Sequence, residues 1–138
     1  MKVFLDAVVI LDYLLDREPF HEDIARIIDY SLSSEFELCI SASSVTDIHF
    51  IISRFDGAAR ALRKIQTIID WVTIETVSEV IIKQAALSDF KDFEDAVQNF
   101  CALDAGHTIL ITRNVKDYRK SQLAIMTPKE FWAKLPLS

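Results

Sequence analysis

Short apolar runs alternate with amphipathic stretches along this chain of 138 residues. Lys2 to Leu5 is an apolar run closed by Asp6, the pattern of a buried strand, and Val9 to Leu15 follows with helical spacing until Pro19 interrupts it. Ile24, Ile27, Ile28 and Leu32 recur at helical intervals, which predicts a helix from Phe20 to Leu32 leading into a strand at Phe36 to Ile40. Ser41 and Ser43 are candidate N-caps for a third helix, whose stripe of Val45, Ile48, Ile51 and Ile52 runs to about Phe55 before Asp56-Gly57 turns the chain. A helix from Ala58 to about Ile69, a strand at Trp71 to Ile74 and a helix capped by Ser78 follow, and Asp92 opens a further helix that ends at Gly106. Thr108 to Thr112 and Ala124 to Met126 are the remaining strands, and Thr127-Pro128-Lys129-Glu130 is a capping box that starts a C-terminal helix through Trp132. Strands alternating with helices predict a three-layer α/β/α fold around a parallel sheet of four to five strands, joined by right-handed crossovers.

Composition narrows the reading. With 51% hydrophobic residues the chain is expected to form one domain spanning residues 1–138 with a substantial core. Charges interrupt every apolar stretch before it reaches the length of a bilayer span, and the N-terminal run ends in Asp6 and not in a small-residue cleavage site, so a cytoplasmic protein with no membrane partner is expected. A net charge of −6 denies the chain the global positive field of a protein that grips nucleic acid by phosphates alone, so any such contact must be local. Cys39 and Cys101 lie in apolar stretches and read as buried reduced thiols. His21, His49 and His107 show no ligand spacing with one another or with either cysteine, which argues against a zinc site. Two isolated glycines make no phosphate loop, and Ser41, Ser43 and Ser44 lack the flanking glycines and partnered base of a serine hydrolase.

The candidate chemistry is acidic. Asp6 ends the first strand, Asp47 is expected on the first turn of the helix after the second, Asp92 and Asp95 open a later helix, and Asn114 to Asp117 follow the strand at Thr108 to Thr112. In an open parallel sheet these positions converge beyond the carboxyl ends of the strands. Carboxylates gathered there repel one another unless a hard cation holds them together. Each acid also has a purely structural reading: Asp95 behind an Asp92 cap is what a well-capped helix shows, and Asp117 closes a turn with Asn114. Asp12 and Asp16, four apart, are expected to form a solvated helix face, with Arg17 as a possible partner. Arg113, Lys116, Arg119 and Lys120 crowd the segment beside the proposed acids and are candidates for contacting RNA phosphates, as is a second group of Arg54, Arg60, Arg63 and Lys64. Ordinary surface charge is the competing account of both groups.

The opening Val3-Phe4-Leu5-Asp6-Ala7-Val8-Val9-Ile10-Leu11-Asp12 resembles the start of PIN domains, and Ile40-Ser41-Ala42-Ser43-Ser44-Val45-Thr46-Asp47-Ile48 is similar to the PIN segment that usually carries Glu at the Asp47 position. Asp92-Phe93-Glu94-Asp95-Ala96 and Ile111-Thr112-Arg113-Asn114-Val115-Lys116-Asp117-Tyr118 resemble the third and fourth acidic motifs of the family, in the correct order along nearly the whole chain. The resemblance implies, as in the VapC-type toxins of that family, a Mg²⁺- or Mn²⁺-dependent endoribonuclease with RNA as substrate and a cognate antitoxin as partner. It implies catalytic roles for Asp6, Asp47, Asp95 and Asp117. Asp6 and Asp95 would be direct metal ligands, Asp47 would bind through water, and Asn114 or Asp117 would complete the set. A homodimer is also expected, with Phe20, Phe55 and Phe131-Trp132 as apolar surface.

Three positions depart from the family pattern. Val8 stands for the usual Asn, Ala7 for a hydroxyl residue, and Asp47 for a Glu that is longer by about 1.5 Å, one carbon–carbon bond. The alternative these departures raise is a degenerate PIN domain that binds RNA or a protein partner without cleavage, because hydrogen bonds that orient the acids are lost. A phosphoacceptor receiver of similar topology is disfavoured by the lack of paired acids at the first strand end and of a Lys after the last strand.

Overall fold

Val3, Phe4 and Leu5 are all fully buried, on both faces of their strand at once, which places β1 (Lys2–Leu5) in the middle of a sheet. The computed structural model describes residues 1–34 and 36–135. Around β1 lie β2 (Glu37–Ser41), β3 (Val72–Glu75), β4 (Ile109–Ile111) and β5 (Ala124–Met126), in the spatial order β3-β2-β1-β4-β5 and parallel throughout. Phe4 stands opposite Cys39 on one side and Leu110 on the other. The chain therefore winds outward from β1 to β2 and β3, then returns to the other side of β1 for β4. That reversal opens a crevice beyond the carboxyl ends of β1 and β4.

The alternation of strand side chains sorts the core into two layers. Val3, Leu5, Leu38 and Ile40 pack on Ile10, Ile24, Ile27, Ile48, Ile68 and Phe131, from α1 (Ala7–Leu14), α2 (His21–Leu32), α3 (Ala42–Asp56), α4 (Ala58–Ile68) and α7 (Pro128–Lys134). Phe4, Cys39 and Leu110 face the other way, onto Ile81, Ala85, Val97 and Cys101 of α5 (Glu79–Ala86) and α6 (Phe93–Asp104). Helices on both faces of a five-stranded parallel sheet make the three-layer α/β/α arrangement that the alternating pattern predicts. No described helix is long and apolar enough to cross a membrane.

Capping explains where the helices start. Helix α1 begins at Ala7, two residues earlier than its apolar spacing suggests, because Asp6 is its N-cap and accepts a hydrogen bond from the Val8 N–H at 3.4 Å. Ser41, and not Ser43, caps α3, its Oγ accepting from the Ser44 N–H at 3.1 Å. Ser78 and Asp92 cap α5 and α6 as expected, and Thr127 and Glu130 close the reciprocal capping box of α7. Gly57 ends α3 at φ +85°, a conformation that favours glycine. A 3₁₀ turn at Val115–Tyr118 is absent from the periodic pattern, since four residues are too few to show one.

Two expectations need correction. Asp12 does not lie on a solvated face: it is 1% exposed, accepts from Arg113 Nη2 at 3.1 Å and lies 3.6 Å from Arg17 Nη1, while Asp16 falls beyond the end of α1 and is exposed. Two guanidinium groups make burial of that carboxylate tolerable, and one of them comes from the far end of the chain. Nor is Phe131-Trp132 free apolar surface. Phe131 is buried against Phe36, and the Trp132 ring packs on Tyr30 and under Arg26, so α7 uses both to close the first core layer.

Candidate functional site

Asp6 leaves the end of β1 at the bottom of the crevice, where Asp6 N–H donates to the Ile111 carbonyl and fixes the strand end against β4. Asp6 is 5% exposed. Oδ1 accepts from Gln98 Nε2 at 3.0 Å as well as from the Val8 N–H, and Oδ2 accepts from Thr112 Oγ1 at 2.6 Å. Burial pushes the carboxyl above its usual range, and the donors of Thr112, Gln98 and Val8 pull against that shift. The donors are themselves held. Gln98 Oε1 accepts from the Ala7 N–H at 3.0 Å and from Ser44 Oγ at 3.2 Å, and Thr112 Oγ1 accepts from the Asn114 N–H at 3.1 Å. One network thus ties β1, α3, α6 and the loop after β4 to a single carboxylate.

The other acids gather around it. Asp95, on the first turn of α6, is pushed up to about 7 by burial and then by the negative charges of Asp6, Asp92 and Asp117. Tyr118 Oη donates to Asp95 Oδ1 at 3.4 Å. Its phenol is driven far up by burial and by the charges of Asp6 and Asp95, so it stays a donor at any ordinary pH. Asp47 sits on the second turn of α3, not the first, because the helix starts at Ala42; burial alone raises its carboxyl. Glu94, beside Asp95 on α6, is raised by burial and then by the charges of Asp47, Asp92 and Asp6. Among the described residues no Lys, Arg or His lies within 4.0 Å of the carboxylates of Asp6, Asp47, Asp95 or Asp117. Among the described residues the acid oxygens form no set of three within 4.8 Å of one another; the set of Cys, His, Asp or Glu ligand atoms that does so lies elsewhere.

A cleft of about 800 Å³ is lined by Asp92, Asp95, Asp117, Lys91, Lys116, Arg119 and Lys120 among others; Asp6 and Asp47 are not part of its lining. Asp117 is therefore on the cleft wall. Asn114 shapes the turn through its backbone, its carbonyl accepting from the Asp117 N–H at 3.0 Å, and its side chain makes no capping hydrogen bond. Asp92 is spent on the Asp95 N–H at 3.0 Å. Arg113 is committed elsewhere: besides holding Asp12, its guanidinium stacks 4.1 Å over the Phe20 ring.

The model of the family described as PIN domain matches residues 2–116. The chain belongs to the PIN domain family. Among relatives of this PIN domain, Ribonuclease VapC1 of Aquifex aeolicus is 26% identical over 94% of the chain and 92% of its own length. The structure is similar to VapBC-1 from nontypeable Haemophilus influenzae, with a TM-score of 0.69 at 20% identity over 94% of this chain and 99% of that one. It is also similar to a toxin–antitoxin complex from Klebsiella pneumoniae, with a TM-score of 0.67 at 18% identity over 91% of this chain and 97% of that one.

Several residues of the PIN crevice escape a reading of acids alone. Gln98, Thr112, Tyr118 and Ser44 all serve the carboxylates, and Lys91 joins the basic rim. A signal for two of them is present in the sequence. Gln98 is a polar residue three positions after Asp95 in an otherwise apolar stripe, and Thr112 is the first polar residue after Ile109-Leu110-Ile111. The harness on Asp6 also answers the departures at Ala7 and Val8, because the orienting bonds come from Gln98 and Thr112 side chains and from backbone N–H groups.

Proposed function

We propose that this PIN domain is a divalent-metal-dependent endoribonuclease and the toxin of a toxin–antitoxin pair. The observation that carries the reading is the Asp6 carboxylate, buried and held by Gln98, Thr112 and the Val8 N–H inside a ring of unneutralised acids. Such a ring is unstable in isolation, and its all-oxygen donors suit Mg²⁺ or Mn²⁺. The open spacing of the acids fits a hard cation that keeps several of its waters. Asp6 and Asp95 would hold it directly and Asp47 through water. Asp117, a carboxylate on the cleft wall, completes the set in preference to the uncharged amide of Asn114, which does not line the cleft. The bound cation supplies an activated water and charge stabilisation for cleavage of a phosphodiester. The chain's own part is to orient Asp6 through Gln98 and Thr112, to keep a phenol donor on Asp95, and to draw RNA phosphates along Lys91, Lys116, Arg119 and Lys120.

The named relatives support the toxin reading, since they are a VapC ribonuclease, a VapBC and a toxin–antitoxin complex. A cognate antitoxin and a second copy of the chain are the expected partners. The exposed Phe50, Phe55 and Leu62 of α3 and α4 supply apolar surface for such contacts. Incubation with single-stranded RNAs and structured transfer RNAs tests the reading. Cleavage that needs Mn²⁺ and vanishes in a folded Asp6→Asn variant supports it; a folded protein that binds Mn²⁺ by calorimetry and cuts none of them identifies a binding module.

A further inference from the structure

The α5/α6 side of the sheet carries a second group of ligand-type side chains that has no part in the acidic crevice. Cys39 of β2, Glu75 at the end of β3 and His107 just before β4 each offer a ligand atom, and all three atoms lie within 4.8 Å of one another. Spacing along the chain hides the set, because the three residues come from separate crossovers. We propose that Cys39, Glu75 and His107 form a binding site for a borderline-soft divalent transition ion, with Zn²⁺ as the natural occupant and Co²⁺ as its spectroscopic substitute.

The donor chemistry selects that class. A thiolate and an imidazole disfavour Mg²⁺ and Mn²⁺ and favour zinc-like ions, while one carboxylate completes a mixed S, N, O set. Charge balances as well: on binding, the Cys39 thiol proton leaves to solvent, and thiolate plus carboxylate neutralise the dication. With ligand bonds of about 2.0–2.3 Å, tetrahedral donors stand about 3.3–3.6 Å apart, well inside the observed limit. His107 Nε2 and Glu75 Oε2 are 2.6 Å apart, so that pair must open by about 0.8 Å if both ligate through those atoms. Glu75 is free to make that movement, being partly exposed on a flexible side chain.

The fold pairs His107 Nε2 with Glu75 but leaves the other ring nitrogen without a partner. The His107 side chain is fully buried, edge-on to Phe4, and its Nδ1 has no hydrogen-bond partner. Lys2 Nζ, 3.7 Å from Glu75, supplies positive charge but is 42% exposed and can withdraw, its other contact being the Ala105 carbonyl. A catalytic thiol with a His–Glu relay is the competing account of the same three residues. It fails on access, because Cys39 is 0% exposed beneath α6 and an ion can reach where a substrate cannot. Occupancy would staple β2 and β3 to the loop between α6 and β4, so its effect is on stability.

Titration of the intact protein with Co²⁺ tests this directly. The expected result is one tightly bound Co²⁺ per chain with a near-ultraviolet thiolate-to-cobalt absorption that Zn²⁺ abolishes and an Asp6→Asn, Asp95→Asn double variant retains. Cys39→Ser and His107→Gln should each lose the band, and Glu75→Gln should weaken affinity about tenfold or more. A wild-type spectrum without the thiolate band overturns the proposal whatever the variants do. Persistence of the band in Cys39→Ser also overturns it, by assigning the thiolate to Cys101.

Discussion

Replacing Asp95 with Asn should stabilise the metal-free protein at neutral pH. The carboxyl, near 3.8 in an unfolded chain, is pushed up to about 7 by burial and by Asp6, Asp92 and Asp117. A folded value above the unfolded one means that the folded state holds the proton more tightly. Stability is therefore full below about pH 4 and falls as pH rises towards about 7. Roughly three units at about 1.4 kcal/mol each set an upper limit of about 4 kcal/mol. The side chain is partly open to water, and screening reduces the cost to about 1–2 kcal/mol. Asn keeps an oxygen for the Tyr118 hydroxyl and removes only the charge. Thermal unfolding in chelator should then show Asp95→Asn melting about 3–8 °C above the wild type at pH 8 and level with it at pH 4. Saturating Mn²⁺ should reverse the order, because a ligand at 100 times its Kd stabilises the wild type by about 2.7 kcal/mol while the variant binds it poorly. A variant that melts at or below the wild type in chelator at pH 8, or whose gain is the same at pH 4, would refute the electrostatic reasoning.

Gln98→Leu strips partners from Asp6, the Ala7 N–H and Ser44 at once and should cost about 2–4 kcal/mol in urea unfolding, with weaker Mn²⁺ binding; unchanged stability would show that the network does not form. Arg113→Ala leaves buried Asp12 with Arg17 alone and should cost about 2–4 kcal/mol without changing RNA affinity, so a folded variant that loses RNA binding would put Arg113 back at the interface. Lys116→Ala with Lys120→Ala should weaken RNA binding and flatten the log–log salt dependence by about 1.4, and an unaltered slope would remove both from the phosphate path.

How much of this was legible in the sequence follows from the range of the interactions. Strand and helix periods are local, so the order of elements and the α/β/α layering could be read from Lys2–Leu5 onward, and Ser78, Asp92 and Thr127 could be recognised as caps because a cap acts within one turn. The parallel sheet and its crossovers also implied that acids after separate strands would approach one another, and the charges of Asp6 and Asp117 are among the causes that raise the Asp95 carboxyl. Partners across the fold were another matter. Gln98 reaches Asp6 from 92 residues away and Thr112 from 106, and Asp12 lost its solvent only when Arg113 arrived from 101 residues downstream. Cys39, Glu75 and His107 meet only because β2 and β3 are neighbours and the α6–β4 connection returns beside them. A periodic pattern says which side of its own element a residue occupies, but register and crossover decide what stands opposite. Hydrogen bonds and charge pairs act over a few ångströms, so which carboxylate is oriented, which is buried and which thiol meets an imidazole were decided by the tertiary structure.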